Sequence, residues 1–155
     1  MKRILFALIV VPLLVASACK KNDNKGTSSN YWSVGNNTYA TDSVTVSNNP
    51  TGSGSLMRGI YGTPGTNVIN LFFGTSTITT GSYTIVGGVP GANEVEVQAL
   101  DATALSGCTS TGNDHLSAVV SISAGKVKVV MPGIWAKVVG GTDSVQIAAN
   151  LTQTN

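Results

Sequence analysis

The chain has 155 residues, of which 42% are hydrophobic and only 10% charged, with a formal net charge of +2. Once an apolar leader and a polar linker are set aside, about 125 residues remain, enough for one domain with its own core and too few for two. Without Lys2 and Arg3 of the leader, seven basic residues stand against seven acidic ones. No basic patch remains, which argues against nucleic acid as a partner.

Lys2-Arg3 is a positive start, and Ile4 to Val15 is an apolar run of 12 residues interrupted by Pro12. A spanning helix needs about 20 such residues, so the run reads as an export signal. Ala16-Ser17-Ala18 supplies the small residues of a cleavage site, and Cys19 follows at once. This arrangement resembles the lipobox of bacterial lipoproteins, with Ala16 standing where that motif prefers Leu. It implies a signal peptide over 1–18 and acyl chains, such as palmitate, on Cys19. An ordinary signal-peptidase site, leaving Cys19 as a free thiol, is the alternative. Residues 20–30 (KKNDNKGTSSN) are small, polar and aperiodic, as expected of a flexible tether over 19–30. Each buried CH₂ of an acyl chain contributes about 0.8 kcal/mol, so two or three chains would give durable attachment to a membrane.

Residues 31–155 are expected to form a single all-β domain. Strand-like runs fall at Tyr31–Val34, Thr38–Ser47, Ser55–Tyr61, Asn67–Phe73, Ser82–Val86, Glu94–Leu100, Leu116–Ser123, Lys126–Met131, Ile134–Val138 and Ser144–Thr152, with Pro, Gly and Asn punctuating the gaps. Glu94–Leu100 and Lys126–Met131 alternate apolar and polar residues, the pattern of a strand with one face in the core and one in water. Asn67–Phe73 is nearly all apolar and is expected to be central and covered on both sides. Gly125 suits a left-handed position in a bulged hairpin turn. Ala99–Leu105 could hold one helical turn at most, and Ser106–Asp114 reads as a loop. The fold class expected is an antiparallel β-sandwich, with a small β-barrel as the alternative.

The ending ASACKKND of the leader segment, the opening YWSVGNNTY, the strand GSYTIV, the hairpin ISAGKVKVV and the closing DSVQIAANLTQ together resemble the small lipoproteins of unknown function common in Bacteroidota. The resemblance covers nearly the whole chain. It implies a β-sandwich-like domain held at the outer membrane, on its periplasmic or outward-facing side, and it implies no activity.

Chemistry-bearing clusters are sparse. His115, beside Asp114 and seven residues after Cys108, could serve a hydrolase only if a nucleophile lay within hydrogen-bond reach and a third group oriented the ring. No metal site is expected, because one His and one available Cys cannot make a zinc centre and no spaced acids form a calcium loop. No phosphate-loop or dinucleotide fingerprint occurs, and no cofactor is expected. Glu94 and Glu96 share a strand face, which more often means two solvated carboxylates than a glycosidase pair. Among aromatics, Phe72, Phe73 and Tyr83 are candidate core residues, or the walls of an apolar pocket in the barrel alternative, and Trp32 is expected to seal one end of the domain. Trp135, just after Pro132-Gly133, is the candidate platform for a sugar ring. Asp42-Ser43-Val44 and Asp143-Ser144-Val145 resemble the O-glycan acceptor of exported Bacteroidota proteins, which makes Ser43 and Ser144 candidate attachment sites. Together these readings predict a non-enzymatic, membrane-anchored module that binds a glycan or an envelope protein.

Overall fold

A computed structural model describes residues 30–50, 52, 54–62, 66–102 and 106–154. The leader, Cys19 and the tether before Asn30 lie outside the described residues. The fold is all-β and sandwich-like, built from 11 strands in one mixed sheet. In chain order these are β1 (Tyr31–Val34), β2 (Asn37–Ala40), β3 (Ser43–Asn48), β4 (Ser55–Tyr61), β5 (Asn67–Phe73), β6 (Gly81–Val86), β7 (Glu94–Asp101), β8 (Ser106–Ser110), β9 (Ser117–Ser123), β10 (Lys126–Val138) and β11 (Ser144–Thr152).

The spatial order is β2-β1-β11-β10-β9-β6-β7-β5-β4-β3, and β8 bridges β10 and β7. The two ends of this path face each other. Tyr61 of β4 packs on Tyr39 of β2 with ring centroids 5.5 Å apart, and Tyr39 packs on Trp32 of β1 at 4.4 Å. A Cβ on Gly59 of β4 would lie 3.2 Å from Leu151 of β11. Between the faces lies one core, including Trp32, Met57, Ile69, Leu71, Phe73, Val97, Val129, Ile147 and Leu151, all buried. Burying each such side chain contributes roughly 1.5–3 kcal/mol. Period-two alternation places them there: Val95, Val97 and Ala99 on β7, and Val127, Val129 and Met131 on β10, are all inward.

Several expectations are corrected. The sandwich is not purely antiparallel, because β6 and β7 pair in parallel through Thr84–Val86 and Glu94–Glu96. The run Thr38–Ser47 breaks at Thr41-Asp42, where the chain turns from β1–β2 to the opposite end of the sheet path. Lys126–Met131 and Ile134–Val138 are one strand. Pro132-Gly133 forms a bulge in it, since Met131 faces Ala149 and Ile134 faces Ile147. A bulge accommodates Pro, which has no N–H for the ladder. The loop reading of Ser106–Asp114 fails over β8, whose backbone pairs with both β7 and β10. Ser123 and Lys126 pair directly across Ala124 and Gly125, whose φ values are 51° and 75°. Two left-handed residues in succession make a tight two-residue turn rather than a bulged one. Phe72 is only half-buried on the outer face of β5, so that strand is flanked on both edges but not covered on both faces.

β7 forks. Its first half pairs with β6 and its second half with β8, which leaves the Val97 N–H at the junction. The Ser110 hydroxyl accepts that N–H at 3.0 Å and donates to the carbonyl of Val86, the last residue of β6. A buried N–H must be paired somewhere, and here one hydroxyl joins three strands.

Candidate functional site

The β10 bulge sets the candidate site. After Pro132-Gly133 the strand resumes with Ile134 turned into the core and Trp135 turned outward, 53% exposed. The loop between β8 and β9 runs beside it. Its Asp114 Oδ2 accepts the Trp135 backbone N–H at 2.6 Å, which fixes the start of the resumed strand to the loop. A shallow depression next to the indole is lined by Ile85, Gly112, Asp114, His115, Leu116 and Ile134. On the other side Trp135 pairs in register with Gln146 of β11. The Gln146 amide lies over Gly133, where a Cβ would sit 2.9 Å from its Nε2, so a side chain at Gly133 would displace it.

The structure thus brings together two residues that the sequence had treated separately, Trp135 and His115, and adds Asp114 and Gln146. His115 is exposed and has a left-handed backbone, φ 50°. What the cluster can do chemically is present an apolar ring face bordered by an imidazole and an amide. Sugars offer the complementary surface, with apolar C–H faces and hydroxyl edges.

Cys108 and His115 do not form a nucleophile pair. Cys108 lies in β8, in the hydrophobic core and 2% exposed, whereas His115 is exposed in the loop between β8 and β9. Burial pushes the Cys108 thiol up from its ordinary value, and the negative charge of Asp101 pushes it the same way. The thiol therefore keeps its proton, and the thiolate is the nucleophile. Asp101 is itself buried and accepts a hydrogen bond from Asn37 Nδ2 at 3.0 Å.

Glu94 and Glu96 are engaged in the scaffold. Glu94 Oε2 accepts the Gly91 N–H at 2.7 Å, and Glu96 Oε1 accepts from Gln98 Nε2 at 3.0 Å and from Thr109 Oγ1 at 3.1 Å. Among the described residues no three His, Cys, Asp or Glu side chains gather to hold a metal ion. The apolar pocket imagined for the barrel alternative is absent at its aromatics. Phe73 and Tyr83 pack edge to face at 4.9 Å inside the core, while Phe72 faces outward. Trp32 is wholly buried in the core and packs on Tyr39. Ser43 opens β3 half-buried, and Ser144 opens β11 exposed, opposite Lys137.

No family model matches the chain, and no curated protein and no solved structure is significantly similar to it.

Proposed function

We propose that this chain is a lipid-anchored protein of the cell envelope whose domain binds a glycan, without catalysis, by stacking a sugar ring on Trp135. The observation that carries the reading is the half-exposed indole on a bulged strand, with its backbone held by Asp114 and its rim supplied by His115 and Gln146. Orientation supports the same reading. The first described residue is Asn30, whose side chain bonds the Thr152 backbone in both directions. Trp135 faces Gln146, six residues back along β11. At about 3.4 Å per residue the platform lies roughly 20 Å from the point where a tether from Cys19 would join. Such an anchor leaves the platform at the far end, open to outer-membrane or cell-surface polysaccharide.

The test has two arms. Cys19→Ala should move the protein from the membrane fraction to the soluble fraction, and an unmodified Cys19 in the mature wild-type protein would end the anchoring part of the proposal. Trp135→Ala should abolish retention in native gels cast with envelope polysaccharide while leaving the melting temperature within a few degrees of wild type. Retention unchanged by the substitution would end the binding part.

A further inference from the structure

At the other end of the sandwich the core is incompletely closed. Along β3 the inward positions are Val44 and Val46. Val44 is fully buried, but Val46 is only half-buried. Along β9 the inward positions are Ala118, Val120 and Ile122. The first two are buried, yet Ile122 is 43% exposed. Both uncovered residues line one groove of about 410 Å³, whose walls also include Asn48, Ser55, Ile78 and Val127. Among the described residues no charged side chain lines it.

The backbone around this groove has the form of a ladder that stops. β11 pairs with β10 up to Thr152, and the next residue, Gln153, still reaches the Val127 carbonyl with its N–H at 2.8 Å. Its side-chain Oε1, not its backbone, takes the Val127 N–H at 3.3 Å. Thr154 then crosses to β3: its N–H donates to the Val44 carbonyl at 2.9 Å, and its hydroxyl accepts the Val44 N–H at 3.1 Å. So the residues that follow β11, Gln153 and Thr154, lie between β10 and β3. Because antiparallel pairing alternates, the Val44 direction fixes that of its neighbours. Thr45 and Ser47 turn their N–H and C=O groups toward β4, while Val46 and Asn48 turn theirs to the open side. Among the described residues no strand pairs with β3 on that side. The groove is bounded by Val46 and Asn48 on one side and by Gly125 and Val127 on the other.

We infer that this slot receives an extended peptide segment of a partner protein, with uncharged residues and apolar side chains at alternate positions. Thr154 forms the first rung of the ladder that such a segment would continue. Its backbone would meet the Val46 and Asn48 groups, and its inward side chains would cover Val46 and Ile122. Main-chain bonds supply affinity in strand addition, and the pockets under alternate side chains supply specificity. The lack of charge along the lining selects a neutral segment, and the presence of backbone donors and acceptors selects a peptide over a hydrocarbon chain.

Hydrogen exchange on the full chain, with and without a pool of acetylated, amidated pentapeptides Thr-X-Thr-X-Thr in which X is Val, Ile, Leu or Phe, tests the inference. Millimolar peptide should slow exchange at the Val46 and Asn48 amides by 10-fold or more. The Val44 amide, already bonded to Thr154, should not change. The same peptides N-methylated along the backbone keep their side chains but lose their donors, and should give no protection. Val46→Pro should remove binding as well, since it deletes a donor that faces away from β4. Equal protection by the N-methylated peptides would overturn the inference, as would no protection from any member of the pool. Protection of Val46 and Asn48 that grows with protein concentration alone would assign the slot to a second copy and overturn it too.

Discussion

Replacing Ser110 with Ala should destabilise the domain far more than the loss of one oxygen atom on a surface would. Ser110 is 2% exposed, and its hydroxyl serves two backbone groups at the fork of β7, accepting from the Val97 N–H and donating to the Val86 carbonyl. Ala leaves both without a partner in a space too tight for easy replacement by water: a Cβ on neighbouring Gly87 would already lie 3.0 Å from the Ser110 carbonyl. Each buried group left unpaired costs about 1–3 kcal/mol, and partial relaxation brings the pair to roughly 2–4 kcal/mol. For a domain of about 125 residues this is a fall in Tm on the order of 10 °C. The assay is urea unfolding followed by circular dichroism, with Ser121→Ala on the exposed face of β9 as a control expected within about 0.5 kcal/mol of wild type. The midpoint should drop for Ser110→Ala while the slope stays constant. A loss below about 0.5 kcal/mol would refute the idea that this hydroxyl holds the fork together.

Three further outcomes are expected. Cys108 should resist thiol reagents at pH 8 in the folded protein and react at once in denaturant. Because the folded state holds the thiol proton more tightly than the unfolded chain, stability should decline as pH rises above the ordinary thiol value of about 8.5, and Cys108→Ala should flatten that decline. Ala124→Asn should raise stability by about 1 kcal/mol in thermal unfolding, because Ala124 sits at φ 51° in a two-residue turn that favours Asn-Gly; no gain would mean that the turn differs from the one described. Intact mass of protein from its native host should exceed that of the acylated polypeptide and fall when Ser43 and Ser144 are both changed to Ala, and the larger share should belong to the more exposed Ser144.

Most strand positions were legible because burial writes a period of two into the sequence. Tyr31–Val34, Ser55–Tyr61, Asn67–Phe73 and Ser144–Thr152 have the same bounds in the sequence reading and in the fold. What failed depended on partners distant in the chain. SGCTS carries no alternation of large apolar residues, and it becomes β8 because β7 and β10 both offer it free backbone groups. Pro132-Gly133 looked like a strand end, since nothing local distinguishes a bulge from a break; the continuous pairing with β11 decides it. The site was half legible. Trp135 stood out by residue type, but its neighbours Asp114, His115 and Gln146 come from a loop and a strand that only the bulge brings into line. The open groove left no mark in the sequence at all, because Val46 and Ile122 follow the same inward pattern as their buried neighbours.

The proposed binding of a glycan at Trp135 can be read directly from the two tryptophans of the chain, one buried and one half-exposed. Protein labelled with 5-fluorotryptophan should give two fluorine resonances, assigned with Trp135→Phe. Titration with polysaccharide from the host envelope should shift the Trp135 resonance and reduce its sensitivity to solvent deuterium, while the Trp32 resonance stays in place. A Trp135 resonance that moves with none of the envelope polysaccharides at saturating concentration would contradict the account.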